Sequence, residues 1–196
     1  MIKTIIFDYA GVITPTRDKI KFAEKNSESF NMTQQDLLDV LYKNWDSAAI
    51  NQMSSSEYWN QIGLDLSMDP KKIKKMVMHA FPIEPRIVSL IDNLQDKFTL
   101  VMLSNQIEDW LEEVIDQNNL RNKFNYFANS YQLGISKPDS KIFLAALEKA
   151  GSKPNETLFI DDSLKNIEAA KKLGINTIKF ENYEQFIKEF EEFVSF

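Results

Sequence analysis

Apolar residues fall along this chain in two rhythms. Short unbroken runs, rich in β-branched and aromatic residues, read as buried strands: Thr4-Ile5-Ile6-Phe7, Phe98-Thr99-Leu100-Val101-Met102-Leu103, Thr157-Leu158-Phe159-Ile160 and Asn176-Thr177-Ile178-Lys179-Phe180. Tyr126-Phe127-Ala128-Asn129 is a shorter candidate. Between them, apolar positions recur at helical spacing over Pro85 to Gln95, Glu108 to Gln117, Asp139 to Ala150 and Leu164 to Leu173. Gly151 and Gly174 stand where the last two of these helices should stop. Strand and helix alternate, which predicts an α/β fold, a Rossmann-like parallel sheet with helices on both faces.

The stretch from about Pro15 to Ile83 breaks the alternation with helical patterns and no credible strand, so it reads as an all-helical insert after the first strand. Three helix starts are legible in it: Thr33 with Asp36, Ser54 to Ser56, and Asp69-Pro70. Its two tryptophans suggest a small core of its own. The resulting division is a core of residues 1–14 and 84–196 around an insert of 15–83. At the other end, Tyr183 to Val194 predicts a closing helix with Phe186, Ile187, Phe190 and Phe193 on one face.

Composition narrows the chemistry. With no cysteine, disulfides, thiolate metal sites and thiolate nucleophiles are excluded, and with a single histidine neither a histidine-based triad nor a multi-histidine zinc site is expected, leaving carboxylates, hydroxyls and amines. A net charge of −6 with scattered lysines offers no surface for a nucleic-acid backbone. No apolar run approaches the roughly 20 residues that span a bilayer, and the first strand begins near Met1 without a basic-then-apolar leader. The expectation is a cytoplasmic protein, monomer or homodimer, acting on a small molecule away from nucleic acid and membrane.

Parallel sheets bind ligands beyond the carboxyl ends of their strands. The polar residues at those ends are Asp8, then Ser104 and Asn105, then Asp161 and Asp162; Lys137 precedes a helix in Gly134-Ile135-Ser136-Lys137-Pro138. Each has an ordinary reading as a turn former, a helix cap or a solvated loop lysine. Adjacent acids after an apolar strand, however, repel each other unless a cation sits nearby. Together the residues supply what Mg²⁺-dependent phosphoryl transfer through an aspartyl-phosphate requires: a carboxylate nucleophile, a hydroxyl and a lysine for phosphoryl oxygens, and acids for a hard cation.

Four ordered segments carry a resemblance to a family. Phe7-Asp8-Tyr9-Ala10-Gly11-Val12, Met102-Leu103-Ser104-Asn105, Ser136-Lys137-Pro138-Asp139 and Phe159-Ile160-Asp161-Asp162-Ser163 resemble the signatures of the haloacid dehalogenase-like hydrolase superfamily. The resemblance spans nearly the whole chain. It implies that the insert is a cap over the site, that Asp8 is nucleophile and metal ligand, and that the Ala10 carbonyl is a second ligand. It further implies Ser104 and Lys137 as phosphate holders, with Asn105 beside them, and Asp161 and Asp162 as the metal-site acids. The departure is Ala10, where the family's phosphatases usually carry an aspartate that protonates the leaving oxygen and then activates water. Losing such a group costs about 10²–10⁴-fold in rate, unless the leaving group needs little help or the cap brings a proton donor. Some members with glycine at this position are still regarded as phosphatases.

The expected function is therefore a Mg²⁺-dependent phosphatase of a small phosphorylated metabolite. One alternative is a carbon–halogen hydrolase, which needs no second carboxylate at Ala10; but the family's dehalogenases lack the acidic pair and place an arginine early in the cap, where only Arg17 is available. Another is a degenerate member that binds a phosphorylated ligand or a protein partner. A bacterial receiver domain has similar chemistry, but its acidic pair follows the first strand rather than coming last. Of the remaining residues, His79 reads as structural, Tyr42, Trp45, Tyr58 and Trp59 as core or pocket wall, Tyr9 as a contact towards the cap, and Lys165 and Asn166 as either metal-shell or solvent-facing. Hinges are expected near Pro15 and at Ile83 to Pro85.

Overall fold

The computed structural model describes residues 1–14, 18–78 and 82–194; Pro15, Arg17 and His79 lie outside them. Five strands, β1 (Thr4–Phe7), β2 (Thr99–Ser104), β3 (Tyr126–Asn129), β4 (Thr157–Asp161) and β5 (Asn176–Lys179), form one sheet in the order β3-β2-β1-β4-β5. Every pairing is parallel, and β1 lies between β2 and β4, with Ile5 opposite both Leu100 and Leu158. All four β1 side chains are buried. A strand covered on both faces and paired on both edges meets no water, which is why these runs show no polar alternation.

Alternate residues feed two cores, as the pleat requires. Ile5, Phe7, Leu100, Met102, Leu158 and Ile160 point to one face. There they meet α6 (Pro85–Leu94), α7 (Glu108–Gln117) and α11 (Tyr183–Phe193). Ile6, Val101, Leu103 and Phe159 point to the other, onto α9 (Ser140–Ala150) and α10 (Leu164–Lys172). Between β3 and α9 runs one further turn of helix, α8 (Ser130–Leu133). Helices thus cover both faces, as the alternation predicts. No helix of the described residues is long and apolar enough to cross a membrane.

Between β1 and α6 the described residues form α1 (Asp18–Asn26), α2 (Gln34–Tyr42), α3 (Trp45–Ala49), α4 (Ser55–Asp65) and α5 (Pro70–Met78). The expected starts of α2 and α4 are capping boxes, with Thr33 and Ser54 accepting from the amides of Asp36 and Glu57 at 3.1 and 3.2 Å. The insert does not keep a separate core: Leu37, Leu41, Tyr58, Trp59, Ile62 and Ile73 are continuous with the core on the α7 side of the sheet. The join is aromatic. Trp110 of α7 lies 6.0 Å from Trp45 and 5.8 Å from Trp59, ring centre to ring centre. At its edge Lys74 reaches Asp109 at 2.8 Å and Glu113 at 3.4 Å.

One expectation about packing is corrected. Phe193 is exposed, and the inner face of α11 is Tyr183, Phe186, Ile187 and Phe190, completed by Val194 just beyond the helix. A helical spacing of four continues from Phe190 to position 194 rather than 193, so the apolar stripe passes Phe193 by. Tyr9 is buried at 1% exposure in the core that the sheet shares with the insert and is not in the lining of the cavity, and the turn after Asp8 folds back, the Tyr9 carbonyl accepting from the amides of Ile13 and Thr14 at 2.9 and 3.0 Å.

Candidate active site

The carboxyl ends of β1, β2 and β4 converge, and with them the polar residues singled out from sequence. Asp8 follows β1, and its Oδ1 accepts from the Tyr9 amide at 2.7 Å. Asp161 is the last residue of β4, fully buried; its Oδ1 accepts from the Ser163 amide at 2.7 Å, and both its oxygens accept from Asn166 Nδ2 at 3.0 and 2.9 Å. Asn166 is therefore turned inward onto Asp161, whereas Lys165 is exposed at the rim.

Lys137 arrives from the loop before α9. Its Nζ lies 2.8 Å from Asp8 Oδ1 and 2.7 Å from Asp161 Oδ2, and donates to the Leu103 carbonyl at 3.0 Å. A buried lysine in a loop needs its backbone held, and Asn105 holds it. The Asn105 carboxamide accepts from the Lys137 amide and donates to the Lys137 carbonyl, both at 2.8 Å. Ser104 ends β2 at 1% exposure, and the cavity wall beside it is made by Asn105 and Gln106.

Carboxylate oxygens of Asp8, Asp161 and Asp162 all lie within 4.8 Å of one another. Burial pushes Asp8 well above the usual carboxylate range, the charge of Asp161 adds to this, and Lys137 opposes it. Burial works to lower Lys137, but Asp161 and Asp8 together carry it above its ordinary value. Counted at their formal charges, three carboxylates against one buried ammonium leave the cluster with an excess of two negative charges, and a cation there would hold Asp8 ionised against its burial. The donor set is all oxygen, and the charge deficit is that of a hard divalent cation.

Above the cluster is a cavity of about 310 Å³. The sheet side contributes Asp8, Ala10, Lys137 and Asp162; the insert contributes Lys19, Tyr42 and Trp45; Gln106 and Trp110 close it. The aromatic residues of the insert divide: Tyr58 and Trp59 are core, at 1% and 3% exposure, while Tyr42 and Trp45 face the cavity. Lys19, Gln106 and Trp110 were not evident from sequence. Lys19 is one of three lysines in a polar helix, and only the path of the insert brings it here.

Comparison with known proteins agrees with this architecture. The family model described as haloacid dehalogenase-like hydrolase matches residues 2–174. The D-ribitol-5-phosphate phosphatase of Bacteroides thetaiotaomicron is 28% identical over 200 residues, covering 93% of each chain. Mouse acyl-CoA dehydrogenase family member 10 is 38% identical over 76 residues, which is 39% of this chain and 7% of that much longer protein. The crystal structure of a haloacid dehalogenase family enzyme from Bacteroides thetaiotaomicron covers 95% of this chain and 98% of its own, with a TM-score of 0.78 at 24% identity, a likeness of fold. Another structure of that Bacteroides enzyme is a complex with magnesium and inorganic phosphate. Because the family match runs from the first strand through the helix that follows Asp161 and Asp162, the chain belongs to the haloacid dehalogenase-like hydrolases.

Proposed function

We propose that this hydrolase is a Mg²⁺-dependent phosphatase of a small phosphorylated metabolite, acting through an aspartyl-phosphate on Asp8. The observation that carries the reading is the cluster of three carboxylates around a single buried ammonium, two charges from neutrality, at the floor of a cavity sized for a small ester. Relatives named as phosphatases of D-ribitol 5-phosphate and of phosphoglycolate support the same class of reaction.

In this reading Asp8, Asp161, Asp162 and the Ala10 carbonyl would hold Mg²⁺, which when bound neutralises phosphoryl oxygens and the mutual repulsion of the acids. Asp8 supplies the attacking oxygen. Lys137, fixed by Asn105, orients Asp8 and meets the phosphoryl group, with Ser104 as the hydroxyl beside it. Asn166 keeps Asp161 from rotating. The helical insert serves as a cap. The Glu84 amide donates to the Ile13 carbonyl at 2.8 Å, so its entering and leaving strands are pinned together next to Asp8, where a hinge would act.

Absence of a carboxylate at Ala10 favours the dehalogenase alternative, but the nucleophile and the two acids beside it would repel the carboxylate of a 2-haloacid in the absence of a cation. Assay of small phosphate esters with and without Mg²⁺, beside chloride release from 2-chloropropionate, separates the two. Phosphate release that needs both Mg²⁺ and Asp8 is expected. Metal-independent chloride release without phosphatase activity would replace this reading.

A further inference from the structure

The geometry points to Gln106 as a specificity-determining residue whose carboxamide donates to a hydroxyl on the alcohol part of the ester. The substrate class that follows is the monophosphates of uncharged, hydroxylated alcohols, such as polyols and sugars. The inference rests on the phosphatase reading above and narrows it. Gln106 stands just beyond Ser104 of β2, in the wall of the cavity, and is only 3% exposed. Its Oε1 accepts from the Ile107 amide at 3.0 Å. That bond decides which end of the carboxamide is oxygen, because the reverse orientation would set its NH2 against an N–H. Nε2 then has no acceptor among the described residues, yet it is not one of their enclosed polar atoms. The small surface that Gln106 keeps borders the cavity, and Nε2 is the polar atom available there.

This donor is held in place before any ligand arrives. The Gln106 amide donates to Ser130 Oγ at 3.1 Å, and that hydroxyl donates to the Ala49 carbonyl at 2.5 Å, so α8 and α3 of the insert fix the main chain of Gln106 between them. The Ile107 amide fixes its side chain. A group ordered in advance loses little freedom on binding. The other carboxamides of the wall are used within the protein: Asn105 on the main chain of Lys137, and Asn166 Nδ2 on Asp161.

A neutral donor pairs with any oxygen, and the charges around it select a hydroxyl. A carboxylate or second phosphate on the alcohol would bring another anion over a floor of three acids, and would need an ammonium open to the cavity. Lys137 is committed to Asp8 and Asp161, Lys19 Nζ is enclosed against the Trp45 ring, and Lys165 is at the exposed rim. Ala10, Trp45 and Trp110 add apolar wall for the carbon chain. A cavity of about 310 Å³ is at the small end of ligand sites and suits an alcohol the size of a monosaccharide.

The test compares D-ribitol 5-phosphate with two esters of the same chain length, the carboxylate D-ribonate 5-phosphate and the hydroxyl-free pentyl phosphate, in the presence of Mg²⁺. 4-Nitrophenyl phosphate reports phosphatase activity independently of any hydroxyl. In kcat/KM the wild type should favour D-ribitol 5-phosphate over both matched esters. Gln106→Met keeps the length of the side chain and removes the donor. It should lower the ratio of D-ribitol 5-phosphate to pentyl phosphate about 5–150-fold, the range for leaving one buried polar group without its partner. Gln106→Glu keeps the oxygen that accepts from Ile107 and replaces only the nitrogen. Its added charge acts on both esters alike, so the same ratio carries the decision if the methionine variant does not fold. A ratio that stays at the wild-type value, whether turnover is kept or falls equally on every ester, overturns the role of Gln106. A wild type that prefers D-ribonate 5-phosphate or pentyl phosphate, or that turns over 4-nitrophenyl phosphate alone, overturns the substrate class while the phosphatase reading stands. A wild type without Mg²⁺- and Asp8-dependent turnover of any of the four overturns both.

Discussion

The carboxylate of Asp162 packs directly onto the α-carbon of Gly11: a β-carbon at that position would stand 2.5 Å from Asp162 Cγ and 2.6 Å from Oδ2. Gly11 also holds φ at +93°, in the region that favours glycine. The turn after the first strand and the acid after the fourth therefore share one surface, with no room between them for a methyl group.

Gly11→Ala is accordingly expected to strain the turn, at about 1–3 kcal/mol, and to push Asp162 out of the cluster. Mg²⁺ titration by calorimetry should show affinity reduced at least about tenfold, in the range seen when ligand positioning is lost. Unchanged affinity would remove Asp162 from the ligand set.

Asn166 is the side chain that holds both oxygens of Asp161. Removing it with Asn166→Ala leaves the carboxylate to Lys137 and the Ser163 amide, and should weaken Mg²⁺ by about 10–100-fold while Asp8-dependent chemistry at saturating metal is largely retained. A loss that saturating Mg²⁺ does not relieve would show that Asn166 acts elsewhere than on the metal site.

Trp110 belongs to a helix of the sheet's own layers, yet it is ringed by Trp45 and Trp59 of the insert. Trp110→Ala should cost about 3–5 kcal/mol in urea unfolding, with the insert loosened first. A cost under about 1 kcal/mol, at the low end for any core change, would mean that the insert is not seated on α7 in solution.

Lys74 bridges to Asp109 and Glu113 at the edge of that join, where all three side chains are partly open to water. Lys74→Met should change stability by less than about 1 kcal/mol, and the difference should shrink in high salt. Burial works to lower the Lys74 ammonium, but the bond and charge of Asp109, then Glu113, carry it above its ordinary value. A raised lysine stabilises fully below its unfolded value, so this contribution should be flat through neutral pH and disappear only in alkali, as pH rises through the folded value. A stability difference that varies between pH 6 and 8 would contradict that assignment.

Strand ends and helix starts were the legible parts of this fold. β1 to β5 fall within a residue or two of the apolar runs, since a doubly covered strand must be continuously apolar, and the caps of α2 and α4 announce themselves through Thr33 and Ser54. Asp8, Lys137 and Asp161 could be collected in advance because parallel strands deliver their ends to one edge. By contrast, α3 and α8 run to only 5 and 4 residues, too short for a helical period to show. The partner of Asn105 was equally hidden, because its carboxamide reads the main chain of Lys137, which no side-chain pattern records. Lys19 stayed out of sight for another reason: what places it is the winding of the insert, and a lysine on a polar helix is ordinarily solvated.

The position of β1 has a consequence for synthesis. Of the five strands it is made first, yet it sits in the middle, and its hydrogen-bonding edges find their partners only when Thr99 and then Thr157 have been added opposite Thr4. Until then the growing chain carries an apolar strand with two open edges, a hazard for association with its neighbours on the ribosome. Asp8 likewise precedes its partners and cannot meet Asp161 until the fourth strand docks, so a nascent or truncated chain that stops short of β4 holds Asp8 without the partners that the proposed chemistry requires.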